Sequence, residues 1–216
     1  SFLFHLAAQT AVTASIRDPL EDHAVNIAGT LNVLEAARHA RPSPGVMFAS
    51  TNKVYGCLAD LQMRRTMERC VPCNPIVRHS GIGEERPLQF ASPYGCSKGA
   101  ADQYVLDYAR TFGLAAVVLR MSCIYGPHQF GTEDQGWVAH FLLRALAGEA
   151  ITIFGDGKQV RDILHVDDAV AAYRAVLSDI DTVSGEVFNL GGGPGNAVSL
   201  NILLEEITEI AGHQPL

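Results

Sequence analysis

Tyr94 and Lys98 stand four residues apart in Ser92-Pro93-Tyr94-Gly95-Cys96-Ser97-Lys98, a stretch whose residue types could carry proton chemistry. Ser92 suits a helix N-cap, and Pro93 the first helical position, where a missing N–H leaves nothing unpaired. Apolar residues at Tyr104, Val105, Tyr108, Ala109 and Phe112 continue the helical spacing, and Gly113 ends it. On such a helix Tyr94 and Lys98 share one face, about 6 Å apart along the axis. An ammonium beside a phenol favours phenolate. The spacing therefore predicts a tyrosine pKa drawn below its usual value of about 10, and a base usable near neutral pH. By itself it also describes a core tyrosine beside a solvated lysine on any amphipathic helix, so its meaning comes from the residues around it.

Those surroundings read as alternating strands and helices. Ser1 to Ala8 opens as a buried strand, and a helix follows from about Asp22 to Ala40. Gly45 to Ser50 is a second strand, ending in Thr51-Asn52-Lys53-Val54-Tyr55-Gly56. Residues 57–91 are irregular and rich in Pro, Arg and Cys, a long loop or insertion. After the Tyr94 helix, Leu114 to Arg120 is a β-branched buried strand, and a helix spans about Gly136 to Ala147. Ile151 to Phe154 reads as a strand before the tight turn Gly155-Asp156-Gly157. Val160 to Val166 is extended, a helix runs from Asp167 to about Leu177, Glu186 to Leu190 is a last strand, and Ser199 to Ala211 a last helix. The connections are too long for hairpins, so an α/β fold with a mainly parallel sheet and helices on both faces is expected. Ligands of such sheets sit beyond the carboxyl ends of the strands. That rule gathers Ala7-Ala8-Gln9, Ser50-Thr51, Met121-Ser122-Cys123 and the start of the Tyr94 helix at one mouth.

Composition narrows the classes of function. With 216 residues the chain can bury one sizeable core with a smaller lobe. A formal net charge of −7 argues against a nucleic-acid surface and offers no basic stripe to a membrane, although local basic residues could bind a small phosphorylated ligand. No apolar run reaches the ~18 residues of a membrane span. Five cysteines form no even framework, and a reduced, cytoplasmic setting is expected. Cys70-Val71-Pro72-Cys73 reads as two ordinary loop thiols, and zinc or redox use would draw on His79. His23, His39, His140 and His213 lack ligand spacing, and Asp18, Glu21 and Asp22 read as a solvated helix start. No metal is expected.

Taken together, the motifs resemble a known family. They are His5-Leu6-Ala7-Ala8-Gln9, Asn26-x-x-Gly29-Thr30-x-Asn32-x-Leu34-Glu35, Ser50-Thr51-x-x-Val54-Tyr55-Gly56, Ser92-Pro93-Tyr94-x-x-x-Lys98, Leu119-Arg120 with Ile124-Tyr125-Gly126-Pro127, Arg161-Asp162-x-x-His165-Val166-Asp167-Asp168, and Phe188-Asn189-Leu190-Gly191. In this order they are similar to the extended short-chain dehydrogenase/reductases, specifically the NAD-dependent nucleotide-sugar epimerases and dehydratases. Residues 50–56, 92–107, 125–130 and 134–137 most resemble the branch that epimerises carbon 2 of a CDP-linked dideoxyhexose.

The resemblance implies a doubly wound, mostly parallel Rossmann-type sheet with part of a smaller substrate-binding lobe, and NAD as cofactor. It implies catalytic roles for Thr51, Tyr94 and Lys98: Tyr94 takes the sugar hydroxyl proton, Lys98 holds the nicotinamide ribose, and Thr51 hydrogen-bonds the reacting oxygen. Ala7, Ala8, Gln9, Asn26, Ser50 and Met121 would join Tyr94 and Lys98 around the cofactor. Thr51, Ser122, Cys123, His128 and Arg161 would meet the CDP- or UDP-linked sugar, Arg161 as a diphosphate clamp. Asp162, His165 and Asp167 would brace that turn, and a homodimer is implied.

Residues 1–120 would be the C-terminal part of the NAD-binding domain. Residues 121–216 would be substrate-lobe segments interleaved with the last Rossmann strands. The family's opening strand and G-x-x-G-x-x-G loop have no counterpart in this sequence, which reads as an N-terminally truncated fragment, incomplete at its C-terminus as well. Gly191 to Asn196 fails the spacing and reads as a structural turn. Dehydratases of the family carry Thr-Asp-Glu where this chain has Thr51-Asn52-Lys53, so no dehydration is expected. Two alternatives stay open: a UDP-sugar 4-epimerase, and a silent fragment unable to retain the dinucleotide.

Overall fold

Residues 1–213 are described by a computed structural model. β1 (Phe2–His5) leads through α1 (Val12–Arg17) and α2 (Pro19–His23) to a π-helical turn, Ala24–Ala28, and α3 (Gly29–His39). β2 (Gly45–Thr51) ends in a 3₁₀ turn, Asn52–Tyr55. β3 (Met63–Arg65), β4 (Cys70–Pro72) and α4 (Pro75–Ser80) precede α5 (Pro93–Phe112). Then come β5 (Ala116–Met121), β6 (Cys123–Tyr125), α6 (Trp137–Leu146), β7 (Val160–His165) and α7 (Val166–Val183). β8 (Val187–Leu190), β9 (Ala197–Ser199) and α8 (Leu200–Ala211) close the order.

The chain divides into two compact units. The first takes residues 1–58, 84–121 and 168–190. Its sheet has the order β1-β2-β5-β8, with every pairing parallel, as the long connections foretold. β2 is buried along its whole length because both faces are covered. Val46 and Phe48 join Val105 and Tyr108 of α5 and Leu34 of α3 on one side, whereas Met47 joins Val176 of α7 on the other. Side chains alternating across a strand leave β2 and β5 no polar face, which is why both read as unbroken apolar runs.

The second unit takes residues 59–83, 122–167 and 191–213 of the described chain. It holds the sheet β6-β7-β9 and the antiparallel hairpin β3-β4. Phe141 and Ala145 of α6 pack on Leu200, Leu203 and Ile207 of α8.

Four expectations change. The 57–91 stretch is not a structureless loop, since it contains β3, β4 and α4. Three-residue strands, β3 exposed and β4 half-buried, are too short to show a hydrophobic alternation. Ile151 to Phe154 is not a strand, because Ile151 and Ile153 side chains join the α6–α8 cluster without sheet pairing. α7 extends beyond Leu177 to Val183, with non-helical dihedrals at Asp179. The helix expected from Asp22 starts earlier, at Pro19 after a further helix, α1, and there the Asp18 side chain accepts from the Glu21 N–H at 2.9 Å. Among the described residues no helix is long and apolar enough to cross a membrane. Among the described residues all five cysteines are free, and no group of three or more His, Cys, Asp and Glu could hold a metal ion.

Candidate active site

The carboxyl ends of β1, β2 and β5 lie side by side, with His5 in register with Phe48 and Thr51 with Met121. α5 starts at the same edge. The Ser92 hydroxyl accepts from the Gly95 N–H at 3.1 Å, the N-cap expected of it, and Gly113 in the left-handed region ends the helix. The Tyr94 N–H donates to Ser15 Oγ at 3.1 Å, and Ser15 Oγ donates to the Val12 carbonyl at 2.7 Å. The first turn of α5 is thereby tied to α1. Tyr94 and Thr51 are both buried, and the Thr51 side chain is near enough to draw the Tyr94 phenol's pKa down.

Lys98 is held by groups of β2. Its ammonium donates to the Ala49 carbonyl at 2.7 Å and lies 4.1 Å from the Phe48 ring centroid. Burial pushes Lys98 down to about 8, against the pull of the Asp102 and Asp22 carboxylates. Tyr94 shifts opposite to the sequence expectation. Burial raises its pKa, the Thr51 side chain lowers it less, and the Asp22 charge raises it further. Lys98 is not among the groups that move the tyrosine; burial and the Asp22 charge set the direction.

The loop after β1 is held from below. Asn26 Oδ1 accepts from the Gln9 N–H at 2.9 Å, while its Nδ2 donates to the Gln9 carbonyl at 3.0 Å and to Ser97 Oγ at 3.0 Å. Asp22, 1 % exposed, accepts from Gln9 Nε2 at 2.7 Å and from Asn26 Nδ2 at 3.1 Å. Asp22 is therefore no solvated charge; it is a buried brace. The π turn carries Asn26 inward, the kind of local irregularity that recurs at functional sites. Ala7 is exposed and Ala8 half-buried at the strand end. The Tyr173 hydroxyl donates to Met121 Sδ at 2.8 Å.

Ser50, grouped with the cofactor residues by resemblance, turns its hydroxyl to Asp102 Oδ2 at 2.8 Å. Asp102 forms a buried two-pronged ion pair with Arg120, both contacts at 2.9 Å. Arg120 Nη1 also donates to the Tyr55 hydroxyl at 2.9 Å, which donates to Asn189 Oδ1 at 2.8 Å. This buried chain links β2, α5, β5 and β8. Gly56 follows with φ +68° and ψ −143°, a conformation open to glycine alone, and a Cβ there would collide with the Gln89 carbonyl.

The remaining site residues belong to the second unit. Ser122 Oγ is buried without a partner, Cys123 opens β6 half-buried, and His128 has φ +65°. Arg161 donates to the Val160 carbonyl at 2.9 Å and to Gln159 Oε1 at 2.8 Å. Asp162 accepts from the Gly192 N–H at 2.8 Å, and His165 Nδ1 from the Asp167 N–H at 3.3 Å.

A parallel sheet with a tyrosine, a lysine and a threonine gathered at its carboxyl edge has counterparts among known proteins. The model of the NAD dependent epimerase/dehydratase family matches residues 1–191. The chain belongs to that family. CDP-paratose 2-epimerase of Salmonella typhi is 47 % identical over 204 residues, covering 91 % of this chain and 59 % of the relative. The dTDP-glucose 4,6-dehydratase of Streptomyces antibioticus is 35 % identical over 189 residues, covering 88 % and 49 %. Among solved structures, the UDP-glucose 4-epimerase of Thermus thermophilus in complex with NAD superposes with a TM-score of 0.78 at 31 % identity, covering 98 % of this chain and 62 % of that one. The chain thus spans about half to three-fifths of the length of these proteins.

Ser15, Asp22, Ser97 and Asp102 position the site without standing out in the sequence as site residues. Three are small or ordinary polar residues on helices, and only Asp102, four residues after Lys98 on the same helical face, left a periodic signal.

Proposed function

We propose that the protein containing this chain is an NAD-dependent nucleotide-sugar epimerase acting on a CDP-linked sugar, with carbon 2 of a dideoxyhexose as the reacting centre. The buried Thr51 at the end of β2 beside the buried Tyr94 in the first turn of α5 carries this reading, because a reacting sugar oxygen needs a proton acceptor and a hydroxyl donor together. The 47 % identity to CDP-paratose 2-epimerase supports the choice of nucleotide and carbon.

The residues present fit one half of a dinucleotide. Two alanines leave the end of β1 open, Met121 offers a soft apolar edge, and the Lys98 ammonium supplies a donor for ribose hydroxyls. Ala7, Ala8, Gln9, Met121, Tyr94 and Lys98 would hold it, with Asn26 and Ser50 acting from behind. When bound, NAD supplies a carbon-centred hydride acceptor that protein side chains lack. This chain's residues handle the proton. Tyr94 takes it from the sugar hydroxyl and returns it once the configuration has inverted, while Thr51 donates to the same oxygen. Burial keeps the phenol protonated at rest, so removal of the proton depends on charge arriving beside it. Ser122, Cys123 and His128 would face the sugar, and Arg161 the diphosphate.

Dehydration requires a second acid and base beside Thr51. Asn52 and Lys53 occupy those places as an amide and an ammonium in the 3₁₀ turn. Assembly as a homodimer in the cytoplasm belongs to the same proposal. Tyr94→Phe in the full-length protein is expected to lower kcat by about 10²–10⁴ while leaving the melting temperature nearly unchanged, since one hydroxyl is removed. A variant retaining more than a tenth of the wild-type rate would remove Tyr94 from the chemistry.

A further inference from the structure

The β3–β4 hairpin has two faces with unequal charge balance. Arg65, in register with Cys70, points to the face where Asp156 meets its guanidinium at 2.9 Å. On the opposite face Arg64 pairs with Val71, and the Thr66 N–H donates to the Arg69 carbonyl at 2.9 Å, so Arg64, Thr66, Arg69 and Val71 point the same way. Together with Arg78 of α4 and the turn residues Met67 and Glu68 they line a hollow of about 400 Å³.

The charges in this hollow are unmatched. Among the described residues, the side chains of Arg64 and Arg69 make no hydrogen bond or ion pair, and Arg69 Nε is buried without any acceptor. Arg78 uses Nε and Nη2 on the Pro72 carbonyl at 3.0 and 2.7 Å, which fixes its guanidinium and leaves Nη1 available. Three guanidinium groups against the single carboxylate of Glu68 contrast with a chain whose formal net charge is −7. A buried donor without a partner opposes folding, and a phosphate oxygen is the acceptor a guanidinium fork fits best.

We infer that this hollow is a binding site for a small phosphate-bearing anion, separate from the diphosphate clamp assigned to Arg161. Arg161 does not line it, and its guanidinium is engaged by Val160 and Gln159. The volume suits a small molecule, and Val71 and Met67 offer apolar contact to whatever carries the phosphate.

Phosphorus NMR titration of the full-length protein with orthophosphate, and separately with ribose 5-phosphate, tests the site. Binding should weaken about tenfold in Arg69→Gln and in Arg64→Gln, as each removes one charge-assisted fork. Arg65→Gln and Arg161→Gln should each change it by less than about twofold, and added salt should weaken it in wild type. Tighter binding of ribose 5-phosphate identifies an organic phosphate as the ligand class, and equal or tighter binding of orthophosphate identifies free phosphate. Should Arg69→Gln fail to fold, Arg64→Gln on an exposed side chain carries the same test. Absence of binding at about 20 mM of either ligand, far above typical metabolite affinities, would overturn the inference. So would unchanged binding in Arg64→Gln, or loss of binding in Arg161→Gln.

Discussion

Lys98 is the residue whose environment is most at odds with its charge. Its ammonium is held by one carbonyl and one aromatic face in a buried setting, and its pKa falls from 10.5 to about 8. Between those values the unfolded chain binds more protons than the folded one, so this residue makes stability rise with pH from about 8 to about 10.5. Below about 8 its burial opposes folding in full. Urea unfolding at about pH 7.5 and about pH 9.5 should show wild type gaining stability relative to Lys98→Met, which cannot titrate. An identical pH response in both would mean the ammonium is not desolvated. The Tyr94–Lys98 face was legible from spacing alone, but the direction of the Tyr94 shift was not. A four-residue spacing shows a cation nearby, whereas burial and the Asp22 carboxylate emerge only when three separate elements have packed. Asp22 was misread for the same reason: a carboxylate at a helix start looks solvated until Gln9 and Asn26 close over it.

At the scale of elements, the buried pair Asp102–Arg120 locks α5 to β5 behind the site, and Ser50 and Tyr55 complete its hydrogen bonds. Asp102→Ala would strand a guanidinium that is 4 % exposed. The expected loss of stability is about 3–5 kcal/mol by denaturant unfolding, with a fall in activity as α5 loosens. A loss below about 1 kcal/mol would show that water reaches Arg120 and that the pair does not fix the helix. The central strands were legible because double coverage leaves them uniformly apolar. β3 and β4 were not, since Met63-Arg64-Arg65 is wholly exposed and its pairing rests on backbone groups alone. Ile151 to Phe154 misled in the other direction, being apolar through packing on helices, outside any sheet.

Across the whole molecule, the order of motifs along the chain revealed more than any one of them. Tyr-x-x-x-Lys, a lone threonine and a pair of alanines each have ordinary explanations. The parallel order β1-β2-β5 brings their strand ends together, and α5 presents its first turn at that edge. In the proposed function the choice of nucleotide and carbon falls to Ser122, Cys123, His128 and Arg161 of the second unit, and the 47 % identity to CDP-paratose 2-epimerase supports it. The most direct measurement is proton NMR of CDP-paratose incubated with the full-length protein and NAD. The account predicts a second sugar spin system, inverted at carbon 2, that grows to equilibrium and is absent with Tyr94→Phe. A 4-keto-6-deoxy product from an NDP-hexose, or inversion that persists undiminished in Tyr94→Phe, would contradict it.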